Sequence, residues 1–171
     1  SGFRETYGGL HKKYGVEPDM AVFGKALGNG YAITSVIGRR DVMEAAQSTF
    51  ISSTFWTERI GPTAGLKTLE IMEREKSWEQ ITKTGKFIQK SWIKLAIKNG
   101  LDIEVGGLPA IPHFSFNSPK SLEYKTFITQ EMLKKGFLAS NIIFSCTEYN
   151  SEIIDIYIHE LGHIFDIIRE C

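Results

Sequence analysis

Cysteine, net charge and long apolar runs are all scarce in this sequence. Two cysteines in 171 residues, Cys146 and Cys171, are too few for a disulfide framework or a cysteine-based zinc site. Lys and Arg together number 20, as do Asp and Glu, so the formal net charge is zero. Nucleic acids and anionic membranes attract proteins with a basic surplus, so neither is an expected partner. No apolar stretch approaches the roughly 20 residues that span a bilayer.

The sequence also lacks an initiating methionine and a signal peptide. It opens on Ser-Gly-Phe-Arg, without the apolar segment that directs secretion. We therefore expect that the N-terminus of a longer protein is missing. We also expect a cytoplasmic protein, since the cytoplasm is the reducing compartment in which few cysteines form disulfides.

Apolar residues make up 42% of the chain, which is enough to bury a core in one ordinary domain or parts of two. The first 75 residues have the pattern of an α/β fold. Short apolar runs predict buried strands at 19–24 and 33–38. Helical spacing predicts helices over about 39–47 and 57–75.

From about residue 76 the pattern changes to that of a small α+β domain. A long helix is predicted over 77–98, with Asn99-Gly100 as its stop signal. The remaining predicted elements are strands in LDIEVGG and AIPHFSFN, a helix in SLEYKTFITQEMLKKG, short strands in FLAS and NIIFSC, and a last helix that begins at Asn150 or Ser151.

The most conspicuous motif is HELGH at 159–163. It matches H-E-x-x-H, in which two histidines one helical turn apart bind zinc and the glutamate activates a water. A zinc site needs a third protein ligand, and the long form of the motif has a glycine at 166 and a histidine at 169. This chain has Asp166 and Arg169 there, so the expected third ligand is absent.

Helical periodicity argues further against a zinc hydrolase. At about 100° per residue, one face of the last helix is apolar, with Ile154, Tyr157, Ile158, Leu161, Phe165 and Ile168. His159 and His163 fall on the opposite face, among acidic residues, and we expect them to face water. Two alternatives stay open: a metallopeptidase that uses His159, Glu160 and His163, and a solvated face whose histidines bind a stray metal ion.

The segment PDMAVFGKALGNGYAI, at 18–33, is a better candidate for chemistry. A strand of small apolar residues ends at Gly24, Lys25 follows, and a turn with Gly28 and Gly30 comes next. Burial disfavours the charged form of an amine, so a lysine at the end of a buried strand is a better nucleophile. Such a lysine can form a Schiff base with an aldehyde, although an ordinary surface lysine is the alternative.

Three stretches resemble the C-terminal portion of class III, pyridoxal-phosphate-dependent aminotransferases, and most of all the glutamate-1-semialdehyde 2,1-aminomutase branch. They are SGFRETYGGLHKKYGVEPDMAVFGKALGNGYAI, SSTFWTERIGPTAGLKTLEIM and KGFLASNIIFSCTEYNSEIIDIYIHELGHIFDII. The likeness covers nearly the whole chain. Its most specific part is the Pro-Asp-(apolar)-Gly-Lys segment with the glycines after it.

The resemblance implies an α/β fold, namely a partial fold-type I pyridoxal-phosphate-dependent transferase. Residues 1–75 would be the end of the large cofactor-binding α/β domain, and residues 76–171 the small C-terminal α+β domain. The implied reaction is amino-group transfer, or amino migration within one molecule, on a small amino-bearing substrate. The implied cofactor is pyridoxal 5'-phosphate.

The resemblance also implies roles for individual residues. Lys25 is similar to the lysine that holds the cofactor as a Schiff base and then acts as general acid and base. Thr54 is similar to the threonine whose hydroxyl binds the cofactor phosphate, and Ser53 would offer its backbone N–H on the same loop. A plain loop or helix cap is the alternative for this pair. In the family that phosphate usually belongs to the neighbouring subunit, which implies a homodimer.

Two further residues have weaker implied roles. Arg4 corresponds to the arginine of the family's Gly-Phe-Arg, and we expect it to form a structural ion pair. His113 either faces the active-site cleft or is satisfied by its neighbours in the strand.

The chain departs from the family pattern in two respects. The aspartate that pairs with the pyridine nitrogen, the stacking aromatic and the Gly/Ser phosphate loop all precede the Gly-Phe-Arg segment in the family. We therefore expect this polypeptide alone to bind the cofactor poorly and to be inactive. No arginine occurs at 138–148, where many members bind a substrate carboxylate, which favours mutase-like or unusual amino substrates. A non-catalytic remnant or assembly module also stays open.

Overall fold

The computed structural model describes residues 2–170 and divides them into two compact units, one ending at Trp78 and the next beginning at Glu79. In the first unit, strands β1 (Met20–Phe23) and β2 (Ser35–Gly38) pair antiparallel. Its helices are α1 (Leu10–Lys13), α2 (Arg40–Met43) and α3 (Ile60–Glu75), with 3-10 turns at Gly2–Arg4, Lys25–Leu27 and Glu44–Ser48. Both strands are confirmed, and α3 begins three residues later than predicted.

The prediction that β1 and β2 are buried strands is wrong. Along β1 the side chains alternate between exposed and half-buried, with Val22 74% exposed and Met20 53% exposed. A sheet covered on one face alternates in this way because successive side chains point to opposite sides. The covered side contacts a small core of Phe3, Leu27 and Met72, against which Phe23 packs.

The second unit contains strands β3 (Ile103–Gly106) and β4 (His113–Phe116), which pair antiparallel. Its helices are α5 (Ser121–Lys134) and α6 (Ser151–Arg169), together with most of α4 (Ser77–Asn99). The Asn99-Gly100 stop is confirmed, since Gly100 has φ 66°, a left-handed conformation that ends helices. The Asn150 side chain caps α6 by accepting from the Ile153 N–H at 2.9 Å.

Aromatic side chains from α4, β4 and α6 form the core of the second unit. Phe114 packs edge-on against Trp92 and Phe165, with ring centroids 4.8 and 5.9 Å apart. The Trp92 Nε1–H donates a hydrogen bond to the Tyr157 hydroxyl at 2.9 Å, so this buried polar pair is satisfied. Burial of Tyr157 raises the pKa of its hydroxyl, which therefore stays protonated.

The prediction of short strands in FLAS and NIIFSC is wrong. Residues 137–146 contain only an isolated bridge, between Ile142 and His113. The segment does run beside the chain before β4, where the Ile143 N–H donates to the Pro112 carbonyl and the Ser145 N–H to the Ala110 carbonyl. Pro112 has no N–H to return the bond, which prevents a regular ladder.

Cys146 is a half-buried free thiol, and Cys171 lies outside the described residues. None of the helices formed by residues 2–170 has the length and apolar character needed to cross a membrane.

A substitution at Gly85 should show how tightly the second unit is packed. A Cβ at Gly85 of α4 would lie 1.7 Å from the Pro109 carbonyl oxygen, so backbone would have to move. We expect Gly85→Ala to destabilise the protein by about 1–3 kcal/mol, although alanine is the better helix former by about 1 kcal/mol. The free energy of unfolding from urea denaturation measures the effect.

Gly162→Ala in α6 is the matched control, because a Cβ there would meet only the Leu95 Cδ2 atom, at 3.2 Å. Its stability should lie within about 1 kcal/mol of the original protein. Equal stability of the Gly85 and Gly162 variants would contradict the close packing described.

Candidate active site

Lys25 is separated from the end of β1 by Gly24 alone, and it stands at the first position of a 3-10 turn. Its φ is 48°, in the left-handed region that residues with a Cβ rarely adopt. Backbone hydrogen bonds close the turn around it: the Leu27 N–H donates to the Gly24 carbonyl at 3.0 Å, and the N–H groups of Gly28 and Asn29 donate to the Lys25 carbonyl at 3.2 Å. The backbone of Lys25 is therefore held in an unusual conformation by its neighbours.

The turn is anchored in the core of the first unit. Leu27 is buried there with Phe3 and Met72. Gly28 is also buried, and a Cβ at that position would lie 2.1 Å from the Tyr31 carbonyl oxygen, so the close approach of the two backbone segments requires glycine. The glycines after the lysine thus serve the shape of the turn.

The side chain of Lys25 is exposed, so the desolvated environment predicted for it is not found. Val22 of the preceding strand is also in solvent, at 74% exposure. No ion pair within residues 2–170 involves Lys25, and its amine is open to a ligand.

Ser53 and Thr54 lie in a turn that precedes α3, and both are exposed. The Ser53 Oγ accepts from the Phe55 N–H at 3.2 Å, and the Ser53 carbonyl accepts from the Trp56 N–H at 3.2 Å. In both bonds Ser53 is the acceptor. Its hydroxyl proton and the hydroxyl of Thr54 are therefore available to a ligand. The turn therefore presents hydroxyl donors beside two large exposed rings, Phe55 at 61% and Trp56 at 66%.

Glu58 is a positioning residue that the sequence did not reveal. Its carboxylate accepts from the Ile60 N–H at 2.6 Å and the Gly61 N–H at 2.9 Å, so it satisfies two first-turn donors of α3. A Cβ at the buried Gly61 would lie 2.5 Å from the Ala32 carbonyl oxygen. The start of α3 is thus packed on the segment that follows the Lys25 turn. An acidic residue just before a helical run is the signal that would have indicated this cap.

Arg4 and His113 lie in different units. Arg4 is half-buried in the first 3-10 turn, and its predicted ion pair stays a prediction. His113 is exposed on β4 of the second unit, with its ring close over Gly106 and Gly107.

His159 and His163 of the HELGH motif lie on the exposed side of α6, and their predicted exposure is confirmed, whereas Leu161 and Gly162 of the same motif are buried. The Lys135 Nζ lies 3.1 Å from the Glu160 Oε2, and the Lys135 ammonium lowers the pKa of that carboxyl. A glutamate held by a lysine is not free to activate a water. Across the described residues, no group of three or more His, Cys, Asp or Glu can hold a metal ion, and nothing supports the metallopeptidase alternative.

Similar proteins have been described. The chain is 35% identical over 131 residues to a 3-aminobutyryl-CoA aminotransferase of Cloacimonas acidaminovorans, an alignment covering 76% of this chain and 32% of that relative. It is 27% identical over 183 residues to a glutamate-1-semialdehyde 2,1-aminomutase of Methanocaldococcus jannaschii, covering 97% of this chain and 43% of the relative. The chain thus spans less than half the length of these relatives.

The fold also has solved counterparts. The FumI protein of Sphingopyxis sp. MTA144, solved in its pyridoxal-phosphate internal aldimine form, superposes with a TM-score of 0.86 at 20% sequence identity. The superposition covers 92% of this chain and 39% of that protein. The predicted fold, a partial fold-type I α/β transferase, is confirmed.

The family model of the class III aminotransferases matches residues 5–145, well over half of the chain. The matched range contains Lys25, Ser53 and Thr54. The matched family is the one that the three sequence stretches predicted. This chain belongs to the class III aminotransferase family.

Proposed function

We propose that this chain belongs to a pyridoxal-phosphate-dependent aminotransferase or 2,1-aminomutase that acts on a small amino-bearing substrate. The observation that carries the proposal is the exposed, unpaired amine of Lys25 on a rigid turn inside the region matched by the family. Class III aminotransferases use pyridoxal phosphate. We assign residues 1–75 to the end of the large domain and residues 76–171 to the small domain.

The donor chemistry of the first unit fits pyridoxal phosphate. The exposed primary amine of Lys25 would bind the aldehyde carbon of the cofactor. The hydroxyls of Ser53 and Thr54, exposed on their turn, suit a phosphate dianion, which accepts several hydrogen bonds. When bound, the cofactor supplies an electron-withdrawing ring that stabilises negative charge on a substrate carbon.

In this proposal Lys25 has two successive tasks. Its Nζ would hold the cofactor, and when the amine is not engaged in that bond it would accept a proton and return it to a second atom. A proton carrier must stay close to both atoms. The closed turn fixes the Lys25 backbone, so only the side-chain torsions remain to be ordered.

We further propose a cytoplasmic homodimer in which the Ser53–Thr54 turn binds the phosphate of the cofactor on the partner copy's lysine. Exposed Phe55 and Trp56 flank the two donors. Large aromatic side chains in such positions are typical of the centre of a protein interface, which supports a second chain at this turn.

Replacement of Lys25 should abolish covalent cofactor binding. We expect Lys25→Ala in the intact protein to lose the visible absorption band of lysine-bound pyridoxal phosphate, because no other amine occupies that turn. Borohydride trapping followed by peptide mapping should locate the cofactor on Lys25 in the original protein.

Lys76→Ala is the matched control. Lys76 is also an exposed lysine with left-handed backbone, at φ 49°, so the substitution carries the same conformational cost without removing the proposed ligand. The absorption band should persist in this variant. A band that survives in Lys25→Ala, or a trapped cofactor on another lysine, would refute the assignment.

Mixing two defective variants should test the shared phosphate site. Thr54→Ala should weaken cofactor binding by about 10-fold or more, since a hydrogen bond to a charged group is worth about 1.5–3 kcal/mol. A mixed dimer contains one Thr54→Ala chain and one Lys25→Ala chain. If each site combines the lysine of one chain with the threonine of the other, one site carries both substitutions and the other carries neither. Cofactor affinity at the Lys25 of the Thr54→Ala chain should therefore return to the original value.

Thr57→Ala, at an exposed threonine of the same segment, is the control and should bind the cofactor normally. If Thr54 served the lysine of its own chain, mixing would restore nothing, because each site would keep one defect. That result would contradict the shared site while leaving the assignment of Lys25 intact.

A further inference from the structure

The proposed function gives no role to the two exposed histidines of α6. On α6, the Nε2 atoms of His159 and His163 lie 3.0 Å apart, with ring centroids 4.5 Å apart and planes at 85°. We propose that this pair is a surface chelate for one divalent transition-metal ion of the Ni²⁺ or Cu²⁺ type, with water completing the coordination. It is a two-ligand site and has no part in peptide hydrolysis.

The nitrogen–nitrogen distance, at which the two rings can share a hydrogen bond without an ion, matches the ligand spacing of square-planar and octahedral ions more closely than that of tetrahedral ones. Two imidazole nitrogens bound at about 2.0–2.1 Å and separated by 3.0 Å subtend an angle of about 91–97° at the metal. Neighbouring ligands of a square-planar or octahedral ion meet at about 90°, the geometry of Cu²⁺ and Ni²⁺ sites. Tetrahedral zinc, at about 109°, would need nitrogens about 3.3 Å apart.

The helix holds the pair in position before an ion arrives. The side of α6 opposite the histidines is buried in the core through Tyr157, Leu161 and Phe165. Histidines four residues apart lie one above the other on a helix. Because the backbone is fixed by the core, binding would order only the two side chains, which lowers its entropic cost.

Charges around the pair favour a cation. Glu160, between the two histidines in sequence, is paired with Lys135, whose Nζ lies 3.1 Å from the Glu160 Oε2. Asp155 precedes His159 by one helical turn, and Asp166 follows His163 by one turn on the same face. These carboxylates raise the local concentration of divalent cations without acting as ligands. The basic Arg169 lies beside Glu170, 3.6 Å from its carboxylate.

The proposal predicts a specific loss of Ni²⁺ binding. In the intact protein, freed of metal by a chelator, isothermal titration should detect a Ni²⁺ site at α6. His159→Ala and His163→Ala should each weaken binding at that site by about 10-fold or more, because the chelate needs both nitrogens. Zn²⁺ should bind more weakly than Ni²⁺. Ni²⁺ should also raise the melting temperature of the original protein, and not that of either variant.

The other two histidines of the chain provide controls, since His11→Ala and His113→Ala should leave the affinity unchanged. Asp155→His added to His163→Ala should restore binding, because it rebuilds a pair four residues apart with His159. The proposal would be overturned if His159→Ala or His163→Ala bound Ni²⁺ as tightly as the original protein, or if Asp155→His failed to restore binding. Absence of Ni²⁺ binding to the original protein at millimolar concentration would also overturn it. Both histidines are exposed, so the metal-free variants should fold as the original does.

Discussion

Burial of Leu27 in the core of the first unit is the constraint on which the candidate active site depends. Leu27 is two residues after Lys25, and its contacts with Phe3 and Met72 determine where the 3-10 turn lies. The turn in turn holds Lys25 at φ 48°. A left-handed residue with a side chain costs about 1–3 kcal/mol, and such conformations persist where the surrounding structure imposes them. The amine of Lys25 is therefore presented by a turn that a small apolar core anchors.

The same core links the lysine turn to the phosphate-binding turn of the proposed function. α3 packs against the residues after the lysine at Gly61, where no side chain would fit under the Ala32 carbonyl. Glu58 ties the start of α3 to the chain that carries Ser53 and Thr54. Two exposed turns far apart in sequence thus gain fixed positions from one helix, while their chemistry remains at the surface.

Much of the architecture could be predicted because it is encoded locally. The apolar spacing of α6 predicted both the helix and the outward direction of His159 and His163, since a 3.6-residue period determines which side chains share a face. The cap at Asn150 and the stop at Gly100 were predictable for the same reason. Lys25 was singled out as the candidate cofactor lysine through the order of residues around it, and that assignment stays a prediction.

The errors came from contacts that no local pattern contains. Residues 137–146 have the composition of strands, but the chain segment beside them contains Pro112, which has no N–H to donate to a strand ladder. The apolar run of β1 suggested burial, but its outer face has no covering element among residues 2–170. The close approach of the Pro109 carbonyl to Gly85 of α4 is another contact of this kind, since the helical pattern around Gly85 does not contain it.

The sequence by itself determined the family, the helices α2 to α6, the strands β1 to β4, the candidate lysine and the exposed side of α6, because each depends on residue order or on a short period along the chain. Only the tertiary structure decided that the amine of Lys25 is exposed on a left-handed turn, and that the two HELGH histidines bring their Nε2 atoms to 3.0 Å. These features depend on distances between segments and on side-chain torsions, and both are settled by packing.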